Sequence, residues 1–262
     1  MDCIKGMNGV LEANSIDIIV TSPPYNIGVQ YKTYKDKLKY DEYLKWMLEF
    51  GKACKRVLKE NGSLFFNIGD KATDEFKAFE TARQISERLR LQNTIHWVKS
   101  IAVPEHKINI GHFKPVNSRK LLNNCHEYIF HFTKNKNVNI DKLATGVPYA
   151  DKSNIDRWNH GKSNGDKRDR GNIWFIPYKT VQSEKEHPAS FPEQLPEMCI
   201  KLHGHNQNTV VLDPFLGSGT TCVVAKKLGC KFIGFEIDPH YAKISRDKLS
   251  QAFLSRQISN KT

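Results

Sequence analysis

Four residues at the end of a β-branched apolar run, Ser22-Pro23-Pro24-Tyr25, carry groups suited to holding a planar amine. Proline fixes φ and lacks an N–H, and the residue before a proline is pushed into an extended conformation. The stretch should therefore be a stiff rim whose carbonyls and Ser22 hydroxyl accept hydrogen bonds from an amino group, beside a tyrosine ring available for stacking. The pattern predicts a site for a base taken out of its stack, and a rigid loop with a core tyrosine is the structural alternative.

A second stretch, residues 213–221, has the composition of a ligand-binding loop between a strand and a helix. Gly217 and Gly219 let the backbone approach a ligand closely. The third glycine of the dinucleotide fingerprint is missing, and the Gly-Lys-Ser/Thr sequence of a P-loop does not follow. The next predicted strand runs into Glu236, whose carboxylate suits a ribose diol. These residues indicate a nucleoside site that does not require a phosphate, with a purely structural turn as the alternative.

The apolar pattern predicts the elements that must position these two stretches. Residues 16–20 form a β-branched run typical of a buried central strand. Residues 41–59 have apolar side chains at helical spacing, and Asn61-Gly62 is a typical helix stop. Strands and helices alternate, which indicates an α/β domain with a mainly parallel sheet. Further strands are predicted at 63–69, 93–98, 126–132, 173–176 and 231–238, helices at 74–90 and 239–255, and a strand, glycine loop and helix at 210–229.

The net charge indicates the class of partner. The chain of 262 residues has 40 Lys and Arg against 28 Asp and Glu, which gives a formal charge of +12 and a pI near 9.3. A surplus of that size favours a polyanion, most often nucleic acid. Between about 134 and 172 the periodic pattern stops, and polar and basic residues dominate. We interpret this region as a solvated loop segment that contacts nucleic acid.

Cysteine spacing and hydropathy exclude several classes of protein. The six cysteines are scattered without Cys-x-x-Cys spacing, so we expect free thiols in a reducing environment and assign no metal. The sequence contains no apolar run of membrane-spanning length and no signal-peptide pattern at its N-terminus. These features predict a cytoplasmic protein without a membrane partner.

Four motifs, in this order, resemble those of the S-adenosylmethionine-dependent DNA methyltransferases that methylate an exocyclic amine. SPPY (22–25) resembles the catalytic tetrapeptide of that family, and HPASFPEQLPE (187–197) resembles the segment that lines the methionine end of the cofactor. DPFLGSGTT (213–221) resembles the cofactor loop, and FIGFEID (232–238) resembles the adenosine-ribose motif. Because the catalytic motif precedes the cofactor loop, the order resembles the permuted β arrangement of the family.

The resemblance implies a Rossmann-like, mainly parallel twisted sheet with helices on both faces and an inserted target-recognition region. Residues 1–133 would form the catalytic half of the methyltransferase domain, 134–186 the target-recognition insertion and 187–262 the cofactor-binding half. Family members usually carry a full strand before the residues that resemble Asp2-Cys3, where this sequence begins. We expect either that this strand is absent or that the reading frame starts further upstream.

Carried over residue by residue, the resemblance assigns roles at both sites. Ser22 and the Pro23 carbonyl would accept hydrogen bonds from the target amine, and Tyr25 would stack on the flipped base. Glu236 would bind the ribose hydroxyls. The predicted catalytic set is Ser22, Pro23, Pro24 and Tyr25, and the predicted cofactor-binding set is Asp213, Pro214, Phe215, Gly217, Ser218, Gly219, Thr220, Glu236, Phe191 and Pro192.

The expected activity is site-specific methylation of double-stranded DNA, with cytosine N4 as the target because serine opens the tetrapeptide. Adenine N6 is the alternative, followed by an RNA or protein-amide methyltransferase and a non-enzymatic DNA-binding module. A monomer or homodimer in a restriction-modification system, with a cognate restriction endonuclease as partner, is expected. Predicted DNA contacts are Lys99, Lys107, Lys114, Arg119, Lys120, Arg157, Lys167, Arg168 and Arg170.

Overall fold

A computed structural model describes residues 1–29, 36–71, 73–74, 76–111, 116–151, 166–177 and 191–259, with side chains as far as Gln251. Its strands are β1 (Ile16–Thr21), β2 (Leu58–Ile68), β3 (Arg90–Val98), β4 (Ser100–Val103), β5 (Ile108–Gly111), β6 (His126–Thr133), β7 (Val147–Pro148), β8 (Lys167–Arg168), β9 (Ile173–Phe175), β10 (Val210–Asp213) and β11 (Lys231–Gly234). Its helices are α1 (Cys3–Val10), α2 (Tyr40–Val57), α3 (Lys77–Ser86), α4 (Gln194–His203), α5 (Thr220–Lys227) and α6 (Pro239–Ser259).

A seven-stranded sheet in the order β11-β10-β1-β2-β6-β3-β9 forms the centre of the fold. Every pairing in it is parallel except the two made by β6, which runs antiparallel to β2 and β3. The predicted mainly parallel sheet is therefore confirmed. Because β6 runs the other way, its first residues lie at the edge where the parallel strands end.

Helices cover both faces of the sheet, as expected for a doubly wound α/β domain. Successive side chains of a strand point to opposite faces, and β1 shows this clearly. Ile19 packs in a core with buried residues of α1, α2 and α3. Ile18 and Val20 pack in a second core with residues of α4 and α5. Strand β1 is thus buried on both sides, which explains why its sequence is almost continuously apolar.

The end of α2 differs from the sequence prediction. The helix ends at Val57, and the backbone is already extended at Leu58. Asn61-Gly62 lies inside β2 and does not stop the helix. The pairing of β1 with β2 shifts between Ile16, opposite Leu58, and Ile18, opposite Ser63. Residues 59–62 therefore form a bulge opposite Asp17, and the flexible Asn-Gly pair serves that bulge.

Two other elements are shorter than predicted. The helix predicted at 74–90 covers Lys77–Ser86, and the strand predicted at 231–238 ends at Gly234. After Gly234, the Phe235 N–H still donates to the Asp213 carbonyl at the end of β10. The Phe235 carbonyl and the Glu236 carboxylate then accept the Leu216 and Gly217 N–H groups of the glycine loop, so the chain leaves the sheet as a loop. This places Glu236 outside the sheet, where its carboxylate faces that loop.

The region predicted as an insertion contributes to the main sheet. Strand β9 pairs in parallel with β3 at the sheet edge, while β7 and β8 form a small separate ribbon. Residues 152–165 and 178–186 of this region lie outside the described residues. A second hairpin, β4–β5, follows β3 directly. Among the described helices, none has the length and hydropathy needed to cross a membrane.

Candidate active site

The SPPY tetrapeptide and the glycine loop lie side by side because β1 and β10 are parallel neighbours. Ile19 is in register with Leu212, so both strands end at the same edge. Thr21, the last residue of β1, donates a hydrogen bond from Oγ1 to Oδ1 of Asp213 at 2.7 Å. Asp213 is the last residue of β10. This hydrogen bond directly joins two stretches that are 192 residues apart in the sequence.

The glycine loop is folded by its own backbone and by the loop after β11. Gly219 N–H donates to the Leu216 carbonyl, and Leu216 N–H donates to the Phe235 carbonyl, both at 2.9 Å. Gly217 and Gly219 have φ values of 51° and 89°, a region that disfavours other residues. A Cβ added to Gly219 would lie 2.8 Å from the Cβ of Ser245. Both glycines are therefore required by the shape of the loop.

Asp213 is a buried acid at the start of this loop, with 2% of its surface exposed. Burial raises the pKa of Asp213 to about 6, because the charged form loses its hydration. Hydrogen bonds from Thr21, Thr221 and the Phe215 N–H lower the pKa and oppose this effect. The Phe215 N–H lies 3.1 Å from Oδ1. The Asp213 carboxylate thus accepts hydrogen bonds that hold the start of the glycine loop in place.

Glu236 faces the loop from the adjacent segment. Its Oε2 accepts the Gly217 N–H at 2.8 Å, and its Oε1 accepts the Asp238 N–H at 2.9 Å. The residue is only half-buried. Because a carboxylate can accept about four hydrogen bonds, each oxygen retains capacity for a ligand hydroxyl. This is the arrangement expected of a diol-binding acid.

The tetrapeptide belongs to a hydrogen-bonded group that we call the tyrosine cluster, formed by Ser22, Tyr25, Asn67 and Glu127. Ser22 Oγ lies 2.8 Å from the Tyr25 hydroxyl, which donates to Oε2 of Glu127 at 2.9 Å. Asn67 Nδ2 donates to the Tyr25 oxygen and to Oε2 of Glu127, both at 2.7 Å. Asn67 is 1% exposed. The cluster fixes the orientation of the tyrosine ring.

The segment after the tetrapeptide is also held in place. Tyr43 of α2 donates its hydroxyl to the Pro24 carbonyl at 3.1 Å. Four consecutive N–H groups, those of residues 26–29, donate to the Asp36 carboxylate at 2.7–3.1 Å. Asp36 is 2% exposed. Lys77 of α3 donates to the Asn26 carbonyl at 3.0 Å. The rim is thus rigid on both sides of Tyr25.

A family model described as DNA methylase (N6_N4_Mtase) matches residues 16–247, a range that includes both the tetrapeptide and the glycine loop. The chain belongs to the DNA methylase family. The predicted family is confirmed, and the protein is a DNA methyltransferase of the N4/N6 amino-methylating class, which depends on S-adenosylmethionine.

Curated relatives of this DNA methylase include proteins from several bacteria. It is 33% identical to the Type II methyltransferase M.BglII of Bacillus subtilis over 262 residues, covering 93% of this chain and 67% of that protein. It is 30% identical to the DNA adenine methyltransferase YhdJ of Escherichia coli (strain K12) over 246 residues, covering 92% of this chain and 79% of that protein.

Solved structures share the fold of the methylase. The PvuII DNA methyltransferase (cytosine-N4-specific) matches with a TM-score of 0.70 at 23% identity, covering 95% of this chain and 84% of that one. The M1.HpyAVI–SAM complex matches with a TM-score of 0.58 at 22% identity, covering 95% and 96%. Together with the sheet topology, these likenesses confirm the Rossmann-like architecture.

Two residues of the tyrosine cluster were not predicted from the sequence of the methylase. Asn67 lies near the end of β2, and Glu127 is the second residue of β6. The sequence contains one indication that Glu127 could be functional, namely a carboxylate within the otherwise largely apolar run HEYIFHF. It could be interpreted only with the direction of β6, because the antiparallel orientation brings the start of this strand to the edge that holds Tyr25.

Lys99, predicted as a DNA contact, forms an ion pair with Oε1 of Glu127. The two side chains are 19% and 15% exposed, and the Lys99 ammonium also lies 5.2 Å from the centre of the Trp97 ring. Lys99 therefore faces the tyrosine cluster and presents little surface to a phosphate backbone. Its role in DNA contact stays a prediction.

The other residues predicted to bind the cofactor lie in the glycine loop and in the segment before α4. Phe191, half-buried, packs against the α4 and α5 core, and the Pro192 carbonyl accepts the Leu195 N–H at 3.0 Å. Pro214 and Ser218 are buried in the glycine loop, and Thr220 begins α5. These positions surround the carboxyl ends of β1 and β10.

The remaining predicted DNA contacts are mostly exposed. Lys107 lies in the turn of the β4–β5 hairpin with φ of 53°, and Arg170 donates to the Thr145 carbonyl at 2.9 Å. Lys114 and Arg157 lie outside the described residues. The exposed cations are Lys107, Arg119, Lys120, Lys167 and Arg168. A cavity of about 410 Å³ beside the tetrapeptide is lined by the exposed Lys37 and Lys71, and by Lys77, which is buried and pairs with Asp74 of the same lining.

Proposed function

We propose that the protein transfers a methyl group from S-adenosylmethionine to the exocyclic amine of a base flipped out of duplex DNA, with cytosine N4 as the target. The observation that carries the proposal is the hydrogen bond from Thr21 to Asp213. It sets the amine-binding rim directly beside the glycine loop. Two ligands that must react with each other need adjacent sites of this kind.

The residues of the glycine loop fit the cofactor. Gly219 packs closely against Ser245, where a Cβ would clash, and its missing side chain lets the backbone of the loop approach a ligand. Glu236 offers both oxygens to a ribose diol. Phe191 and Pro192 would contact the methionine portion, and the loop from Asp213 to Gly219 would form the wall of the site. The bound cofactor supplies an electrophilic methyl group on a sulfonium.

The rim fits a base amine. An exocyclic amine is a poor nucleophile because its lone pair is delocalised into the ring. Hydrogen bonds from both N–H groups to fixed acceptors, Ser22 Oγ and the Pro23 carbonyl, favour a pyramidal nitrogen whose lone pair points out of the ring plane. The Tyr25 ring, oriented through its hydroxyl, stacks on the base. Orientation and preorganised acceptors thereby do the catalytic work.

A direct transfer without a covalent protein intermediate is proposed because the buried cysteines are unsuited to nucleophilic attack. Burial raises the pKa of Cys3 to about 12 and also raises the pKa values of Cys54, Cys199 and Cys222. A thiol in this condition is not ionised near neutral pH, and the thiolate is the nucleophilic form.

The choice of cytosine N4 rests on Ser22. Serine presents a neutral acceptor to the amine, and in the family that the sequence resembles, serine at this position usually accompanies cytosine N4 while aspartate usually accompanies adenine N6. Adenine N6 is the second candidate, because its exocyclic amine can be held by the same two acceptors. The relative named a DNA adenine methyltransferase, at 30% identity, favours this second candidate.

We also propose that the enzyme protects DNA in a restriction-modification system beside a cognate endonuclease. The support is the 33% identity to a relative named a Type II methyltransferase. The basic surface around Lys107, Arg119 and Lys120 supplies phosphate contacts to double-stranded DNA. Residues 134–186 are proposed as the target-recognition region.

One experiment tests substrate, base and position together. The protein is incubated with labelled S-adenosylmethionine and duplex DNA, RNA of the same sequence or a protein extract, and the DNA and RNA are digested to nucleosides for mass spectrometry. N4-methylcytosine in the DNA sample is expected. A product that contains only N6-methyladenine refutes the cytosine assignment, and label only in RNA or protein refutes DNA as the substrate.

A further inference from the structure

We propose that Glu127 is a positioning residue that makes Ser22 a hydrogen-bond acceptor toward the target amine and then takes up the proton which the amine releases. This inference rests on the proposed function, since it assigns a role within the same site. It derives from the directions of the hydrogen bonds in the tyrosine cluster.

The carboxylate sets those directions. An ionised carboxylate only accepts hydrogen bonds, so the Tyr25 hydroxyl must donate to Oε2 of Glu127, 2.9 Å away. The single hydrogen of Tyr25 is then used, and its oxygen can only accept at the 2.8 Å contact with Ser22. Ser22 therefore donates its own hydrogen inward. The Asn67 amide approaches one side of the Ser22 oxygen at 3.4 Å, and the remaining acceptor capacity is left for an N–H of a substrate amine.

Asn67 reinforces the same polarity. Its amide group donates to the Tyr25 oxygen and to Oε2 of Glu127, both at 2.7 Å. The Tyr25 oxygen thus accepts from Asn67 and Ser22 while it donates to Glu127, which uses the hydrogen and both lone pairs of a hydroxyl. The reverse direction of the Ser22–Tyr25 bond would require Tyr25 to have a second hydrogen.

Two further contacts fit a charged Glu127 at this depth. The Lys99 ammonium pairs with Oε1, the oxygen that the tyrosine does not use. A half-buried carboxylate needs such a partner because burial alone disfavours its charge. Gly69 permits the close approach of the glutamate, since a Cβ at that position would lie 2.8 Å from Cγ of Glu127.

The proton can be followed along the cluster. As the N–CH₃ bond forms and the C–S bond of the donor breaks, the amine nitrogen holds one proton in excess. That proton passes to Ser22 Oγ, the Ser22 hydrogen passes to the Tyr25 oxygen, and the Tyr25 hydrogen passes to Oε2 of Glu127. The products are a neutral methylated amine, a thioether, neutral Ser22 and Tyr25, and a protonated Glu127, so charge and atoms balance.

The test compares Glu127→Gln and Tyr25→Phe with the wild type in single-turnover methylation across pH. Glutamine keeps the size of the side chain but has no charge, and phenylalanine keeps the ring but breaks the chain of hydroxyls. We expect the single-turnover rate constant for methylation to fall about 100-fold or more in either variant, which is the range typical of lost proton transfer. Cofactor affinity and the KM for DNA should change little.

The pH profile separates this role from a structural one. The wild-type rate should depend on pH because the reaction releases a proton into the cluster, and this dependence should be weaker in both variants. The double variant should be no slower than either single variant, because both changes interrupt one chain. Glu60→Gln is the matched control, since Glu60 also pairs with a lysine, Lys134, but is 78% exposed and contacts neither site.

The outcomes distinguish the inference from the function on which it rests. If the wild type methylates DNA and Glu127→Gln does so at the wild-type rate with the same pH profile, the role of Glu127 is wrong and the function stands. If the wild type methylates no DNA, the proposed function itself fails. Should Glu127→Gln fail to fold, as judged by circular dichroism, an unchanged rate and pH profile in Tyr25→Phe overturns the inference equally.

Discussion

At the scale of single residues, Glu236 both holds the glycine loop and faces the proposed ribose site, and substitutions can separate these two roles. Its two oxygens accept the Gly217 and Asp238 N–H groups, and they also face the site proposed for the ribose. Glu236→Ala should weaken S-adenosylmethionine binding by more than tenfold, because each charge-assisted hydrogen bond is worth about 1.5–3 kcal/mol. Glu236→Gln, which keeps one acceptor oxygen, should lie between this variant and the wild type.

Titration calorimetry measures these affinities directly. Glu49→Ala is a suitable control because Glu49 is an exposed acid on α2 that pairs only with Lys52 among the described contacts. Equal affinity of wild type and Glu236→Ala would show that the ribose is held elsewhere.

Glu236 and Glu127 show what a sequence can reveal about individual residues. Glu236 could be predicted because it follows a β-strand that lies next to a glycine loop, and both features are local in sequence. Glu127 could not, because its proximity to Tyr25 depends on the antiparallel pairing of β6 with β2. A single sequence carries no local signal for the direction of a central strand. The ion pair between Lys99 and Glu127 could not be predicted for the same reason.

At the scale of elements, the turn into α5 depends on Gly219. A left-handed conformation costs about 1–2 kcal/mol for a residue with a Cβ, and here the Cβ would also meet Ser245 at 2.8 Å. Gly219→Ala should therefore lower the free energy of unfolding and weaken cofactor binding. Gly171→Ala is the control, because Gly171 also has a positive φ, 80°, and no atom lies within 4 Å of the added Cβ.

Urea unfolding of the two variants separates strain from collision. The loss in Gly171→Ala measures the strain of a positive φ without a collision, and an excess loss in Gly219→Ala indicates the contact with Ser245. Equal losses in the two variants would mean that α6, which carries Ser245, moves away without cost.

The loop after the tetrapeptide depends on a single acid. Asp36 accepts all four N–H groups of residues 26–29. In Asp36→Asn the charge is lost and one oxygen is replaced by a donor, so at most part of this set can be satisfied. Hydrogen exchange at the amides of residues 26, 27 and 29 should become about tenfold faster or more, since hydrogen bonds to a charged group are worth about 1.5–3 kcal/mol. The Gly28 amide should change less, because it also donates to the Asp36 backbone carbonyl at 2.9 Å. Unchanged protection at 26–29 would contradict this account.

Helices and strands were predictable where periodicity and burial agree, as in β1 and α2. The end of α2 was not, because Asn61-Gly62 has the composition of a helix stop but serves as a bulge in β2. In the bulge, Gly62 is needed for close packing, since an added Cβ would lie 2.9 Å from Cδ2 of Leu58, and only the pairing with β1 distinguishes this use from a helix stop. The hairpin β4–β5 was missed for a different reason, since its alternating isoleucines lie on an exposed ribbon and not in the core.

At the scale of the whole molecule, a buried polar network links β2, β6 and α4. Nε2 of His131 and Nδ1 of His203 each lie 2.9 Å from Ser63 Oγ, and Asn93 Nδ2 lies 3.0 Å from Nδ1 of His131. Burial, followed by the charge of His203, lowers the pKa of His131 to about 3. Neutral His131 therefore stabilises the fold fully above pH 6.5, and this contribution is lost as the pH falls from 6.5 toward 3.

The free energy of unfolding should consequently decrease by about 1.4 kcal/mol for each pH unit in this window from His131 alone. His131→Gln should be less stable than the wild type at pH 7 but should depend less on pH between 6.5 and 4. His106→Gln, at an exposed histidine, is the control. Urea unfolding at pH 7, 6, 5 and 4 provides the comparison, and parallel curves for wild type and His131→Gln would contradict the prediction.

The hydrogen bond between Thr21 and Asp213 has a consequence for binding as well as for position. Thr21 directly precedes Ser22, and Asp213 begins the glycine loop, so a ligand that shifts one loop acts mechanically on the other. Thermodynamic linkage then requires reciprocity. If bound S-adenosylhomocysteine, the product of the cofactor, changes the dissociation constant for DNA by some factor, bound DNA must change the dissociation constant for S-adenosylhomocysteine by the same factor. Thr21→Val, nearly the same shape without the donor, should bring that factor closer to one. The measurement requires four dissociation constants, one for each ligand with and without the other. An unchanged coupling factor in Thr21→Val would mean that the two sites are coupled by another route.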